Sequence, residues 1–152
     1  MLEKTQNTIQ KLKLDGFKTY GFNQKLGQRE LFCYSDEENA KVAFQAEYDL
    51  LGCLEGKGFV KPIAIATAEE QVSMTFVAEE GILLSEYILN QSPSIDTFLK
   101  LAIQLSDILG ELIQKGIIHQ HIAPENFLYN DTTKLVQLFD CQYAYSLSLI
   151  HI

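Results

Sequence analysis

The chain is short of basic residues: 12 lysines and arginines stand against 20 aspartates and glutamates, a formal charge of −8 over 152 residues. A general nucleic-acid binder shows clustered Lys and Arg, so this balance argues against one, and equally against anionic membrane surfaces. Cysteine is sparse and odd in number. Cys33, Cys53 and Cys141 lack C-x-x-C spacing, which argues against a disulfide framework or a zinc site. No apolar run approaches the ~20 residues a spanning helix needs. The opening Met1-Leu2-Glu3-Lys4-Thr5-Gln6 has none of the apolar stretch that marks a signal peptide. Repeats and low-complexity segments are absent as well. The expectation is a cytoplasmic chain of about one domain in length; its acidic surface would favour partners with basic patches, though solubility alone is an adequate reading of the charge.

What is present is enough apolar material for a core, 47% of the residues. Residues 8–34 read as three short strands: Ile9, Leu12 and Leu14 alternate loosely, 17–22 and 30–34 continue extended, and Gly16 and Gly27 mark turns. Ser35-Asp36-Glu37-Glu38 has the S-x-x-E form of a capping box. The helix expected after it places Ala40, Ala43, Phe44, Glu47, Leu51 and Leu54 near one face, and Gly56-Lys57-Gly58 ends it. Two strands follow over 60–66 and 72–78. Pro62 sits near the start of the first, where a lost N–H does least harm, and Val72, Met74, Phe76 and Ala78 alternate along the second. Glu79-Glu80-Gly81 breaks it.

A short helix over 84–89 comes next, then a long one over 95–115 capped by Ser94. The long helix carries an apolar stripe of Phe98, Leu101, Ala102, Leu105, Ile108, Leu109 and Leu112, and Lys115-Gly116 stops it. Residues 127–129 and 135–139 form a hairpin around Asn130-Asp131. Three strands, a helix, two strands, then helices and a hairpin predict an α+β fold, an antiparallel sheet carrying one helix with a helical layer after it.

The stretch Gly116-Ile117-Ile118-His119-Gln120-His121-Ile122-Ala123-Pro124-Glu125-Asn126 follows the outline H-x-D-x-K-x-x-N, and Phe139-Asp140-Cys141-Gln142 the outline of D-F-G. With the order of elements, these segments resemble a protein kinase. The likeness is nearest to the Ser/Thr-kinase-like domain at the front of bacterial multi-sensor signalling proteins. Phe59-Val60-Lys61-Pro62-Ile63-Ala64-Ile65, Ile82-Leu83-Leu84-Ser85-Glu86-Tyr87-Ile88 and the run 102–109 add to it, so that it covers nearly the whole chain. The resemblance implies a small lobe over 1–80, a hinge near 79–81, and the first part of a helical large lobe over 81–145, truncated after the metal loop. Residues 146–152 are expected to be a non-native tail, leaving the apolar face of the long helix without its usual cover.

The resemblance also implies roles. Glu47 is the helix glutamate that pairs with the ATP-holding lysine; Phe76, Val77 and Glu79 belong to the strand and hinge that receive adenine; His119 is structural; Asn126 and Asp140 are Mg²⁺ ligands. The best register sets Cys33 at the lysine position, and with no lysine in that strand Glu47 is expected to have lost its partner. His121 stands where the catalytic Asp belongs and Ala123 where a phosphate-binding Lys belongs, and the glycine-rich loop is missing. Phosphoryl transfer rests mostly on positioning and charge neutralisation, and these departures remove both. The expectation is therefore a pseudokinase fragment of a signalling protein, regulatory or binding in role, acting on other domains of a larger protein or on a partner. ATP and Mg²⁺ would bind weakly or not at all, with ATP and adenosine differing little. Two alternatives stand beside it. One is an active ATP-dependent Ser/Thr kinase whose lysine comes from elsewhere and whose base is His121, since imidazole exchanges protons near neutral pH. The other is a non-functional remnant.

Overall fold

Alternating inward side chains build the first half of the molecule. The computed structural model describes residues 9–15, 18–25 and 28–147; Gly16, Phe17, Gly27 and residues 148–152, which figure in the expectations above, lie outside them. Strands β1 (Ile9–Asp15), β2 (Lys18–Lys25), β3 (Gln28–Ser35), β4 (Lys61–Ala68) and β5 (Gln71–Val77) form one antiparallel sheet in the order β1-β2-β3-β5-β4. Tyr20 and Phe22 of β2, Leu31 and Cys33 of β3, and Val72, Met74 and Phe76 of β5 are all buried, the period of two expected of a sheet with one covered face. Helix α1 (Ala40–Gly52) covers that face with Ala40, Phe44, Glu47 and Leu51, an i, i+4, i+7, i+11 stripe.

Two boundaries of α1 differ from the sequence reading. Ser35 is the buried last residue of β3, and its Oγ accepts from the N–H of Glu37 at 3.2 Å, closing a tight turn. The helix starts later, after Asn39, with no side-chain cap. Its end comes earlier: Gly52 is the last helical residue, and Leu54 is buried in the turn that follows.

The second half begins with β6 (Ile82–Leu83) and α2 (Leu84–Asn90), followed by α3 (Ile95–Gln114), whose Ser94 cap accepts from the N–H of Thr97 at 3.2 Å. Gly116 follows at φ +65°, the left-handed conformation a helix stop requires. Next come β7 (Ile117–Ile118), a 3-10 turn (Pro124–Asn126), the hairpin β8 (Phe127–Asn130) and β9 (Leu135–Leu138), and β10 (Tyr145–Ser146). Strands β6, β8 and β9 make a small sheet, and β10 pairs with β7 through Ser146 opposite Ile117. Gly81 is needed where β6 meets this sheet, since a Cβ there would stand 2.6 Å from the carbonyl oxygen of Tyr129.

The halves are joined by main chain as well as side chains. The N–H of Leu138 donates to the carbonyl of Gly58 at 2.7 Å, and the N–H of Val60 donates to the carbonyl of Leu138 at 3.2 Å. Glu111 of α3 accepts from the N–H groups of Glu55 and Gly56 at 2.7 and 3.1 Å. Only part of the predicted α3 stripe is covered. Leu101, Ile108 and Leu112 are buried against β7 and β9 and Leu105 is partly buried, while Phe98 and Leu109 of the stripe are exposed, as are Ile95, Leu99, Ile103 and Ile113 outside it. The chain is thus α+β, with an antiparallel sheet and three α-helices among the described residues. No helix among those residues is long and apolar enough to cross a membrane.

Candidate functional site

Glu47 is the centre of the junction between the halves, and its partner is Lys18. The lysine stands at the start of β2 on the inner face, in line with Tyr20 and Phe22 at a period of two. Tyr20 pairs with Cys33 across the β2–β3 ladder, so Lys18 lies diagonally beside the predicted lysine position on the next strand. The Lys18 ammonium forms an ion pair with Oε2 of Glu47, both side chains fully enclosed, and lies 4.6 Å from the centre of the Phe44 ring. The expectation that Glu47 lacks a basic partner is therefore corrected: the cation comes from β2, one strand away.

The other oxygen of Glu47 reaches across to the second half. Its Oε1 accepts from the N–H of Cys141 at 2.9 Å and from the Tyr20 hydroxyl at 3.4 Å. A carboxylate bonded on both sides in this way avoids the cost of a buried unpaired charge. Tyr20 also meets Phe139 edge-on at 5.0 Å between ring centres. Lys18, Glu47 and Cys141 thus form a continuous polar connection that ends next to Asp140.

Asp140 and the loop before the hairpin are held by His119. Its ring is buried; Nε2 bonds the carbonyl oxygen of Asp140 at 2.6 Å, and Nδ1 accepts from the N–H of His121 at 3.2 Å. A carbonyl can only accept, so the proton is on Nε2 and Nδ1 is bare. Gln120, between the two histidines, takes φ +69° to make this possible. Asn126 completes the loop, its side-chain amide donating to the carbonyl of His121 at 2.7 Å, while its own carbonyl accepts from the N–H of Phe139 at 3.1 Å. His119, Asn126 and Asp140 are therefore brought together, as their spacing predicts.

His121 points elsewhere. Its ring is partly exposed, with Nε2 3.9 Å from the Glu125 carboxylate and the Tyr143 ring 6.0 Å away. Ala123 immediately precedes the 3-10 turn and adds no charge. At the predicted hinge, Phe76 is in the core of the sheet, Val77 turns its side chain outward, and the N–H of Glu79 donates to Oε1 of Gln137 at 2.9 Å. Gln137 in turn donates to the carbonyl of Lys57 at 3.0 Å. Sequence reasoning missed Gln137, a polar residue inside an apolar strand, and Lys18. It also gave no role to Gln142, whose backbone and side-chain nitrogens both donate to the Asp140 carboxylate at 3.2 Å.

In chemical type, Asn126 and Asp140 suit a hard cation, which takes oxygen ligands. Among the described residues, no group of three or more His, Cys, Asp or Glu is arranged to hold a metal ion.

Burial sets the acidity of the groups around the junction. The Tyr20 phenol is pushed well above its usual value by enclosure, reinforced by the Asp140 charge. Burial raises the Cys33 thiol to about 12 against the opposing pull of Lys18. The Cys141 thiol is raised by burial and by Asp140. Both thiols stay protonated at neutral pH and act as small apolar side chains. An unfolded thiol ionises near 8.5, so the unfolded chain binds fewer protons above that pH and stability falls as pH rises toward the folded values. Thiol labelling at pH 8 is expected to modify the exposed Cys53 promptly and Cys33 and Cys141 only after denaturation. Three thiols labelled at one rate in the native protein would contradict this placement.

No model of a known protein family matches the chain.

Proposed function

We propose that this chain is a degenerate protein-kinase-like domain of a signalling protein, regulatory in role, which binds adenine nucleotide weakly and transfers phosphate poorly or not at all. The observation that carries the reading is the loop from His119 to Asn126. It is bonded to Asp140 through His119, yet it offers His121 and Ala123 where acid–base and charge-neutralising side chains would be needed. Scaffold without reactive groups favours binding over turnover. Its partners are other domains of a larger protein or a separate signalling protein.

The Lys18–Glu47 pair favours a second reading, an active ATP-dependent Ser/Thr kinase with its lysine on β2 and His121 as base. The expectation that ATP and adenosine bind alike rested on a missing lysine and a missing glycine-rich loop; Lys18 answers the first, and the second stands in the sequence.

Two measurements separate the readings. Calorimetric titration with ATP, ADP and adenosine is expected to give weak binding, with the phosphorylated ligands preferred. Incubation with ATP, Mg²⁺ and a generic protein substrate is expected to give no phosphoprotein. Phosphotransfer that disappears in Asp140→Ala and changes with pH across the imidazole range in a His121-dependent way would establish the second reading. Absence of binding to any of the three ligands would remove both.

A further inference from the structure

Asp140 is 2% exposed, and one residue engages both of its carboxylate oxygens. The Gln142 backbone N–H donates to Oδ1 and the Gln142 carboxamide Nε2 donates to Oδ2, each at 3.2 Å. In a D-F-G sequence the third residue has no side chain and can supply only the first of these bonds. A buried carboxylate has to be compensated, either by a cation or by directed N–H donors. Here the donors are built in.

Magnesium would compete with them on poor terms. It demands near-octahedral oxygen ligation at about 2.0–2.1 Å and gives up water reluctantly. To ligate Oδ2 it would have to displace the Gln142 carboxamide from a half-buried position. Asn126, the other predicted ligand, is oriented by its own bond to the carbonyl of His121 at 2.7 Å.

We propose that the Gln142 carboxamide occupies the place of a divalent cation on Asp140, making this a metal-independent site for an adenine nucleotide. The ligand class rests on the function proposed above; the occupation of Asp140 by Gln142 does not. Gln142 is accordingly a specificity-determining residue, one that removes the metal requirement from the site.

The test uses the full chain and two probes, Mn²⁺ alone and ADP with and without Mg²⁺, followed by calorimetry. The unaltered chain is expected to bind no Mn²⁺ at the junction and to bind ADP equally well with and without Mg²⁺. Gln142→Ala, which keeps the backbone N–H, is expected to gain Mn²⁺ binding and an affinity for ADP that rises about ten- to a hundredfold on adding Mg²⁺, the worth of one charge-assisted contact. Gln142→Ala/Asp140→Asn is expected to lose both gains. Melting temperatures of all three proteins confirm folding. Should Gln142→Ala not fold, the unaltered chain and Asp140→Asn decide the matter, because Mn²⁺ binding to the first that is lost in the second overturns the proposal. A folded Gln142→Ala that ignores Mn²⁺ and Mg²⁺ overturns it as well. Failure of the nucleotide reading is separately visible, as Mn²⁺ binding gained by Gln142→Ala with no response to ADP.

Discussion

Lys18→Met is expected to destabilise the protein by about 3–5 kcal/mol, because it leaves the Glu47 carboxylate buried with no cation beside it. Methionine fills nearly the volume of the lysine stem, so the loss isolates the charge rather than a cavity. Adding Glu47→Gln is expected to return the protein to within about 1 kcal/mol of its original stability, since exchanging a whole buried ion pair for neutral groups is often neutral. The new Oε1 would still accept from the N–H of Cys141, the contact that joins the halves. Urea unfolding of the two single variants and the double variant checks this. Equal losses in Lys18→Met and in the double variant would mean that an uncompensated Glu47 charge is not the source of the loss.

Phe59→Ala is expected to cost about 3–5 kcal/mol, the range for deleting a buried aromatic ring. Phe59 is buried and forms an isolated bridge to Leu138, in the segment where Gly58 and Val60 exchange main-chain hydrogen bonds with that residue. Truncation at this point acts on both halves at once. Far-ultraviolet circular dichroism and a tyrosine signal are expected to report one coincident transition, moved to lower urea with its slope unchanged. Separate transitions, or a clearly reduced slope, would show that the halves unfold independently.

The elements read most easily from the sequence were those with a strong local signal. Period-two burial in β5 and the Ser94 cap with the stripe of α3 fall where residue spacing put them. The start of α1 was misplaced because Ser35-x-x-Glu38 has the right spacing for a cap but the wrong context, Ser35 being the inward end of a strand. The covered width of α3 was overread, since periodicity marks an apolar arc without saying how much of it finds a neighbour. Lys18 is not marked by position along β3, because a face of the sheet is shared by side chains of adjacent strands, and the cation comes from β2. A signal was available: Lys18, Tyr20 and Phe22 alternate, and a lysine in phase with buried aromatics needs a buried counter-ion. Gln142 left no such trace. Its bond to Oδ2 of Asp140 depends on a side-chain conformation across two residues, which spacing alone does not specify.

The enclosure of Tyr20 gives this molecule an intrinsic optical reporter. The chain has no tryptophan, so its near-ultraviolet signal comes chiefly from tyrosines, and among the described residues Tyr20 touches both Glu47 and Phe139. Its raised ionisation keeps the phenol neutral in alkaline solutions where exposed tyrosines have already become tyrosinate. The asymmetric setting of its ring against Phe139 makes it dichroic only while the two halves stay together. Spectroscopy on the unlabelled protein can therefore follow burial at the meeting point of sheet and helices without an introduced probe, together with Tyr129 of β8, whose phenol burial also raises, to about 12, beside the Tyr87 ring.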